Sequence, residues 1–361
     1  MSVLIFFLVL FVLVLVHEWG HFITAKMTGM RVDEFGIGFP PKLFSVKKGE
    51  TEYTFNALPI GGFVKIYGEN SDAIADSDIS RAFSSRPLWA QAVVLVAGVT
   101  MNVILAWFLF FVTLLMGVPT SVEESVASPE AVLYVSGVLA EGPLNGLMPA
   151  GSEIIKLSSP AGEATNLTPT SFSKFIQDNA NTPVDIYYRY AGEEEKISVE
   201  PEVGLIASAK EKAAVGVSLA MVETKEVGFG EAIVSASELT YTGLISITVG
   251  LFSLIVDSVK GTADFTQVAG PIGIVGMVGD AATFGLTALL TFTAMISLNL
   301  AVINMLPIPA LDGGRLVFVL IEAITKKPIN PVWVGRVNLI GFVLLMILMV
   351  VVTWNDIARL I

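Results

Sequence analysis

MSVLIFFLVLFVLVLVHEWGHFITA, residues 1–25, carries a single charged side chain, Glu18. At 1.5 Å per residue a helix of this length crosses the roughly 30 Å hydrocarbon core of a bilayer. A secretory leader would show a basic start and a small-x-small cleavage site. Neither is visible, so the segment is expected to be a retained span. The rest of the chain agrees with a membrane setting. Of 361 residues 53% are hydrophobic and only 15% are charged, with a mean hydropathy of +0.73, whereas about 25% of a soluble domain is charged. Lysine and arginine number 21 against 33 aspartates and glutamates, a balance of −12 that suits nucleic acid poorly. With no cysteine, disulfides, thiolate-bound zinc and a thiol nucleophile are excluded.

Three further spans are predicted, at about Gln91–Gly117, Phe284–Pro309 and Val337–Trp354. Leu239–Val256 is also apolar. A four-span arrangement puts residues 26–90, with eight Lys/Arg, on the same face as Arg315, Lys326, Lys327 and Arg336. A fifth span would move Lys326 and Lys327 to the poorer side, so four spans are favoured, with both chain ends outside. Leu239–Val256 is then expected to pack on protein or lie at the membrane surface. The fold expected is thus an α-helical polytopic membrane protein with four transmembrane helices (1–27, 91–118, 284–325 and 334–356). A membrane-associated β-hairpin region (28–90), one inserted α+β module (121–205) and a helical region (206–283) lie between them.

The insert has soluble character, with strand-like runs VLYVSGVL, VDIYYRY and EKISVEP, and one helix at Ser171–Asn179. In the 28–90 region LFSV and TEYTFNA flank the turn Lys47-Lys48-Gly49-Glu50, and FVKIYG follows Pro59-Ile60-Gly61-Gly62. A sheet edge at membrane depth must be covered by protein or line a water-filled cavity. Such an edge can offer its free N–H and C=O groups to an extended peptide.

The two histidines of the whole chain fall in His17-Glu18-Trp19-Gly20-His21. Positions i and i+4 share a helix face, so both imidazoles can grip one metal ion with Glu18 beside them as a base. Unpartnered, these polar groups would cost several kcal/mol in an apolar span, and such groups are functional by default. Zinc with two histidines needs a third protein ligand, and here a carboxylate must supply it. Asn304-Met305-Leu306-Pro307-Ile308-Pro309-Ala310-Leu311-Asp312-Gly313-Gly314 offers one. Two prolines break the third span, and the glycine pair allows close backbone approach. Asp312 reads either as the third ligand or as a helix N-cap.

These motifs together resemble the site-2 protease family of intramembrane zinc metalloproteases, in its bacterial sigma-E-regulator protease branch with a PDZ insert. HEWGH at 17–21 is similar to that family's HExGH, and NMLPIPALDGG at 304–314 to its NxxPxPxLDGG. EFGIGFPPKLFSVKKGETEYTFNALPIGGFVKIYGE at 34–69 and GPIGIVG at 270–276 resemble two further family blocks. VLYVSGVLAEGPLNGLMPAGSEIIKL resembles a PDZ pattern in which Pro149-Ala150-Gly151-Ser152 replaces the usual Gly-Asp pair. The second span has Ala97-Gly98-Val99 where a Gly-Pro pair is common.

The resemblance implies Zn2+ held by His17, His21 and Asp312, with Glu18 as catalytic base and Asn304 holding substrate backbone. It implies that Gly61, Gly62, Phe63, Val64 and Lys65 pair with an unwound substrate strand. It also implies single-span membrane proteins as substrates, pre-trimmed by another protease and filtered by the insert. The setting implied is the bacterial cytoplasmic membrane, with the insert extracytoplasmic and residues 28–90 on the cytoplasmic side. A metal or proton transporter using the same cluster would show repeat symmetry, and none is visible. A silent PDZ scaffold would carry a degraded HExxH, and this one is intact.

Overall fold

In lipid every backbone polar group must be satisfied internally, and the uncharged runs do this as long helices. The computed structural model describes residues 1–69, 76–139, 142–190, 192–205, 212–225, 227–262 and 269–360. It separates into two compact units, Met1–Thr113 with Phe229–Ile361, and Leu114–Gly228.

The first unit holds α1 (Ser2–Met27), α2 (Leu88–Met116), α4 (Phe229–Lys260), α5 (Pro271–Thr283), α6 (Leu286–Asn304), α7 (Asp312–Thr325) and α8 (Pro331–Leu360). Five described helices are long and apolar enough to cross a membrane, one more than the four expected. The additional one is α4. Of the two expectations for Leu239–Val256, packing on protein holds for one side only: Thr240 is buried and Gly243 lies against Leu298 of α6, whereas Val249 and Phe252 are 62% and 67% exposed. Nearly all of the helix faces outward, as a lipid-facing helix does.

Contacts at the helix ends show how the passes count. Gly279 of α5 packs against Ser2, at the start of α1. The carboxylate of Asp356, near the end of α8, accepts the N–H groups of Gly270 and Gly273 at 3.0 and 2.9 Å. The start of α1 and the end of α8 therefore meet at one end of the bundle, around α5. Arg86, just before α2, donates through Nε to Thr28 O at 3.0 Å, which holds the start of α2 at the far end of α1. The α4 helix starts beside the last turns of α2, with Phe229 and Phe111 rings 5.3 Å apart. By Gly270 the chain is back at that same end. Among the described residues α1, α2, α6 with α7, and α8 thus each run between the two ends.

Between α1 and α2, β1 (Val32–Lys48) and β2 (Thr51–Ile66) form a bent ribbon. Glu34–Ile37 is flanked on one side by Gly62–Lys65 and on the other by Glu52–Phe55, while Phe44–Lys48 pairs with Thr51–Phe55. Among the described residues no strand pairs with the far side of Gly62–Lys65, so this segment is an edge. Phe22, Ala25, Phe35, Val94 and Val319 pack into one core that ties the ribbon to α1, α2 and α7. Glu50, at the hairpin turn, accepts from Lys26 at 2.6 Å and pairs with Arg81 at 2.7 Å. Arg81, then Lys26, hold its carboxyl down at about 2.

The second unit is an antiparallel sheet in the order β3-β11-β4-β5-β7-β8, with β6 (Gly162–Ala164) on β5. Its strands are β3 (Val118–Val122), β4 (Val132–Val138), β5 (Glu153–Ser159), β7 (Val184–Tyr190), β8 (Glu193–Val199) and β11 (Val217–Lys225), while the two-residue strands β9 (Glu202–Val203) and β10 (Ala213–Ala214) pair with each other. One helix, α3 (Pro169–Asp178), starts with Pro169 and a capping box in which Thr168 and Ser171 bond reciprocally. It buries Phe172 and Ile176 on the sheet, each adding about 1.5–3 kcal/mol. This is the inserted α+β module expected, with a difference in extent. It runs on to Gly228 instead of ending at 205, because β11 slots between β3 and β4. Residues 206–211, which the sequence assigned to a helical region, lie outside the described residues.

Candidate metal centre and active site

One helical turn on α1 sets His17 and His21 edge to face, with ring centroids 4.7 Å apart. Both are buried, at 7% and 8% exposure. The loop that the two prolines pull out of the third span delivers Asp312 to them. Three backbone features hold this loop. Ala310 adopts a positive φ of 76° and donates its N–H to Asn338 Oδ1 at 3.3 Å. A Cβ on Gly313 would collide with the carbonyls of Met305 and Leu306, and one on Gly314 with that of Ile308. Only glycine lets the first turn of α7 sit this close to the loop.

Asp312 is the first residue of α7, whose N-cap is Leu311, with no side-chain cap hydrogen bond. Of the two readings open in the sequence, the cap finds no hydrogen bond here, and the carboxylate is placed beside the two imidazoles. Asp312 Oδ2 lies 3.1 Å from His17 Nε2 and 3.3 Å from His21 Nε2, and the two Nε2 atoms are 3.1 Å apart. Zinc–ligand bonds of about 2.0–2.2 Å at the tetrahedral angle place ligand atoms about 3.3–3.5 Å apart. The triangle is therefore close to one face of a zinc tetrahedron. Asp312 Oδ2 is buried without a hydrogen-bond donor of its own, so the donor set and its orphaned oxygen fit a divalent ion.

The imidazoles are aimed from α2. His21 Nδ1 donates to Val94 O at 2.9 Å, leaving Nε2 as the ligand atom. His17 Nδ1 faces the amide of Asn102 at 3.3 Å. Gly98 gives both rings room: a Cβ there would lie 2.8 Å from His17 Cε1 and from His21 Cε1, and closer still to His21 Nε2. Gly20, inside the HExxH turn, lets α1 approach Ala97 of α2.

Of the other residues named from the sequence, Glu18 follows His17 directly and is half-buried. A Cβ on Gly62 would lie 3.9 Å from Glu18 Cγ, and one on Gly61 would press on Val14. The edge Gly61–Lys65 therefore runs past the HExxH turn of α1, with Phe63 stacked on Phe39. Asn304 is the last residue of α6, next to Met305, whose carbonyl packs against Gly313. Sequence reasoning missed Val94, Gly98 and Asn102. A carbonyl and a missing side chain leave no trace in residue type. An asparagine in the middle of an uncharged span was a readable signal.

The profile of peptidase family M50 matches residues 5–348. The chain belongs to peptidase family M50. Zinc metalloprotease RasP of Oceanobacillus iheyensis is 30% identical over 438 aligned residues, covering 99% of each chain. The regulator of sigma-W protease RasP of Bacillus subtilis is 30% identical over 437, again with 99% of each chain covered. A Clostridium perfringens protein is 36% identical over 352 residues, 96% of this chain and 95% of that one. Among solved structures, the PDZ domain of an SdrC-like protein of Listeria monocytogenes aligns over 26% of this chain and 90% of that one. Its TM-score is 0.22 at 18% identity.

Proposed function

We propose that this chain is a zinc-dependent endopeptidase that cuts single-span membrane proteins within their transmembrane segments. The observation that carries this is the convergence of His17, His21 and Asp312 on one point beside Glu18. The relatives' names, zinc metalloprotease among them, support the choice of metal. Zinc held there supplies Lewis-acid chemistry for hydrolysing a peptide bond. Glu18 takes the proton of the attacking water on a carboxylate oxygen and hands it to the leaving amide nitrogen. His21, locked by Val94, and His17, backed by Asn102, hold the site in register with Asp312.

A transmembrane substrate hides its carbonyls in helical hydrogen bonds and must unwind before it is cut. The open edge at Gly62–Lys65, within reach of Glu18, supports a role as the strand on which the freed groups are re-satisfied. Asn304, at the break between α6 and α7, is the residue proposed to hold substrate backbone. The PDZ-like insert is proposed as a filter, outside the cell, that passes substrates already trimmed by another protease. Residues 28–90 are proposed to face the cytoplasm across a bacterial cytoplasmic membrane. The name of the Bacillus subtilis relative, a regulator of sigma-W, supports anti-sigma factors as one substrate class.

The test is zinc content and cleavage of a trimmed single-span substrate in detergent, with wild type beside Glu18→Gln and Asp312→Ala. Glu18→Gln keeps zinc and loses cleavage, and Asp312→Ala loses zinc. Full cleavage by Glu18→Gln would end the proposal.

A further inference from the structure

His17 and His21 meet α2 through their Nδ1 atoms, but with different partners. Val94 O can only accept, so His21 Nδ1 carries the proton. The atom facing His17 Nδ1 is Nδ2 of Asn102, at 3.3 Å, one end of an amide that has both a donor and an acceptor end. Asn102 is wholly buried, and its Oδ1 has no hydrogen-bond partner. A buried amide oxygen left idle is costly. An Asn side chain can turn its two ends over within one envelope, and which end faces a neighbour is decided by the hydrogen-bond network. Here the network decides it. Nε2 of His17 points at Asp312 Oδ2 and at His21 Nε2. If Nε2 is to be a lone-pair ligand, the single proton of the neutral ring resides on Nδ1. The group facing Nδ1–H must then be an acceptor, and Oδ1 is the acceptor that Asn102 has to spare.

We propose that Asn102 is a positioning residue of the metal centre. It accepts Nδ1–H of His17 through Oδ1, fixes the tautomer of that ring and so aims Nε2 at the ion. The backbone of the same residue is tied down independently, because Ser297 of α6 donates its hydroxyl to Asn102 O at 2.8 Å. Ser297 is itself wholly buried. Asn102 therefore stands where α1, α2 and α6 meet. An aspartate would offer an oxygen at the cost of a second negative charge beside Asp312, and a serine would be too short. The amide reaches the ring and stays neutral.

This inference rests on the zinc reading of the cluster, and the two fail in different ways. The chain has only two histidines, so [15N]histidine labelling of the whole protein in micelles reports on these rings alone. In zinc-loaded wild type both rings show a protonated, hydrogen-bonded Nδ1. In Asn102→Leu the Nδ1–H signal of His17 leaves its hydrogen-bonded position, and zinc affinity by chelator competition falls about 10–100-fold, the range for loss of an outer partner. The His21 signals stay in place, held by Val94. Asn102→Asp, which keeps an oxygen at that position, restores the His17 signal. Ser297→Ala leaves it unchanged, which separates the side-chain role from packing between α2 and α6.

An unchanged His17 signal and unchanged zinc affinity in Asn102→Leu would overturn the proposal. Equal losses in the Leu and Asp variants would also overturn it, since they would mark a packing effect. Failure of wild type to take up zinc would bring down the zinc reading itself, and this inference with it.

Discussion

Gly98→Ala is the smallest change that tests how the metal centre is built, since it adds one methyl group to a helix that supplies no metal ligand. The added Cβ lies 2.8 Å from His17 Cε1 and from His21 Cε1, where ordinary contact begins at 3.4 Å. Each ring must therefore retreat by about 0.6 Å, and His21 Nε2, the nearest atom, by more. Metal sites tolerate ligand displacements of about 0.2 Å. The rings cannot move off without losing the bond from His21 Nδ1 to Val94 O. The loss should exceed that from removing an outer partner, so zinc affinity is expected to drop by at least about 100-fold. Helix content should hold, because alanine favours a helix over glycine by about 1 kcal/mol. The assay is zinc retention against a graded chelator, with circular dichroism on the same samples. Gly276→Ala in α5, where the new Cβ meets nothing within 4 Å, is the control and should keep its zinc. Stoichiometric zinc at wild-type affinity in Gly98→Ala would refute the close apposition of α2 to the two imidazoles.

Other consequences follow from contacts away from the metal. Asp356→Ala removes the carboxylate that caps α5 through Gly270 and Gly273, and should cost about 0.5–2 kcal/mol in thermal unfolding while zinc stays bound. Equal melting temperatures would show that the cap is idle. Glu50 has its carboxyl lowered from 4.5 to about 2 by Arg81 and Lys26. Its contribution is therefore full above about pH 4.5 and drains away as the pH falls toward 2. Glu50→Gln should flatten that part of the stability–pH curve, and an identical acid limb in the variant would exclude Glu50 as a source. Val64→Pro removes one N–H from the ribbon beside Glu18. It should raise KM for a single-span substrate and leave zinc content alone; a fall in kcat at unchanged KM would argue against strand pairing there.

Much of this was legible in the sequence because the chemistry is carried by rare residue types. Two histidines in one pentapeptide and an aspartate after a doubly broken helix could be joined without knowing the fold. The hairpins, the insert's strands at 132–138 and 184–190 and its one helix were also readable, because alternation and turn residues are local signals. What escaped was non-local. The strand 217–225 belongs to the middle of the insert's sheet, yet it comes last in the chain, and strand order is not sequence order. The apolar α4 segment was legible as a helix, but the meeting of Ser2 and Asp356 around α5, which puts the start of α1 and the end of α8 at one end of the bundle, was not. Val94, Gly98 and Asn102 act through a carbonyl, a gap and an amide, and of these only the amide has a letter that stands out in an apolar span.

The pairing of β3 with β11 has a further meaning. These are the first and last strands of the insert, and Val118 lies opposite Lys225. The polypeptide enters and leaves the module at neighbouring points, about 5 Å apart as paired strands are. A stretch of more than a hundred residues is thus, for the helices on either side of it, equivalent to a tight turn. It can be lengthened, exchanged or cut out and closed with a few residues, and the loop-closure entropy changes little with its size. Selection can then remodel the insert as a replaceable cassette, while the helices that carry His17, His21 and Asp312 keep their spacing.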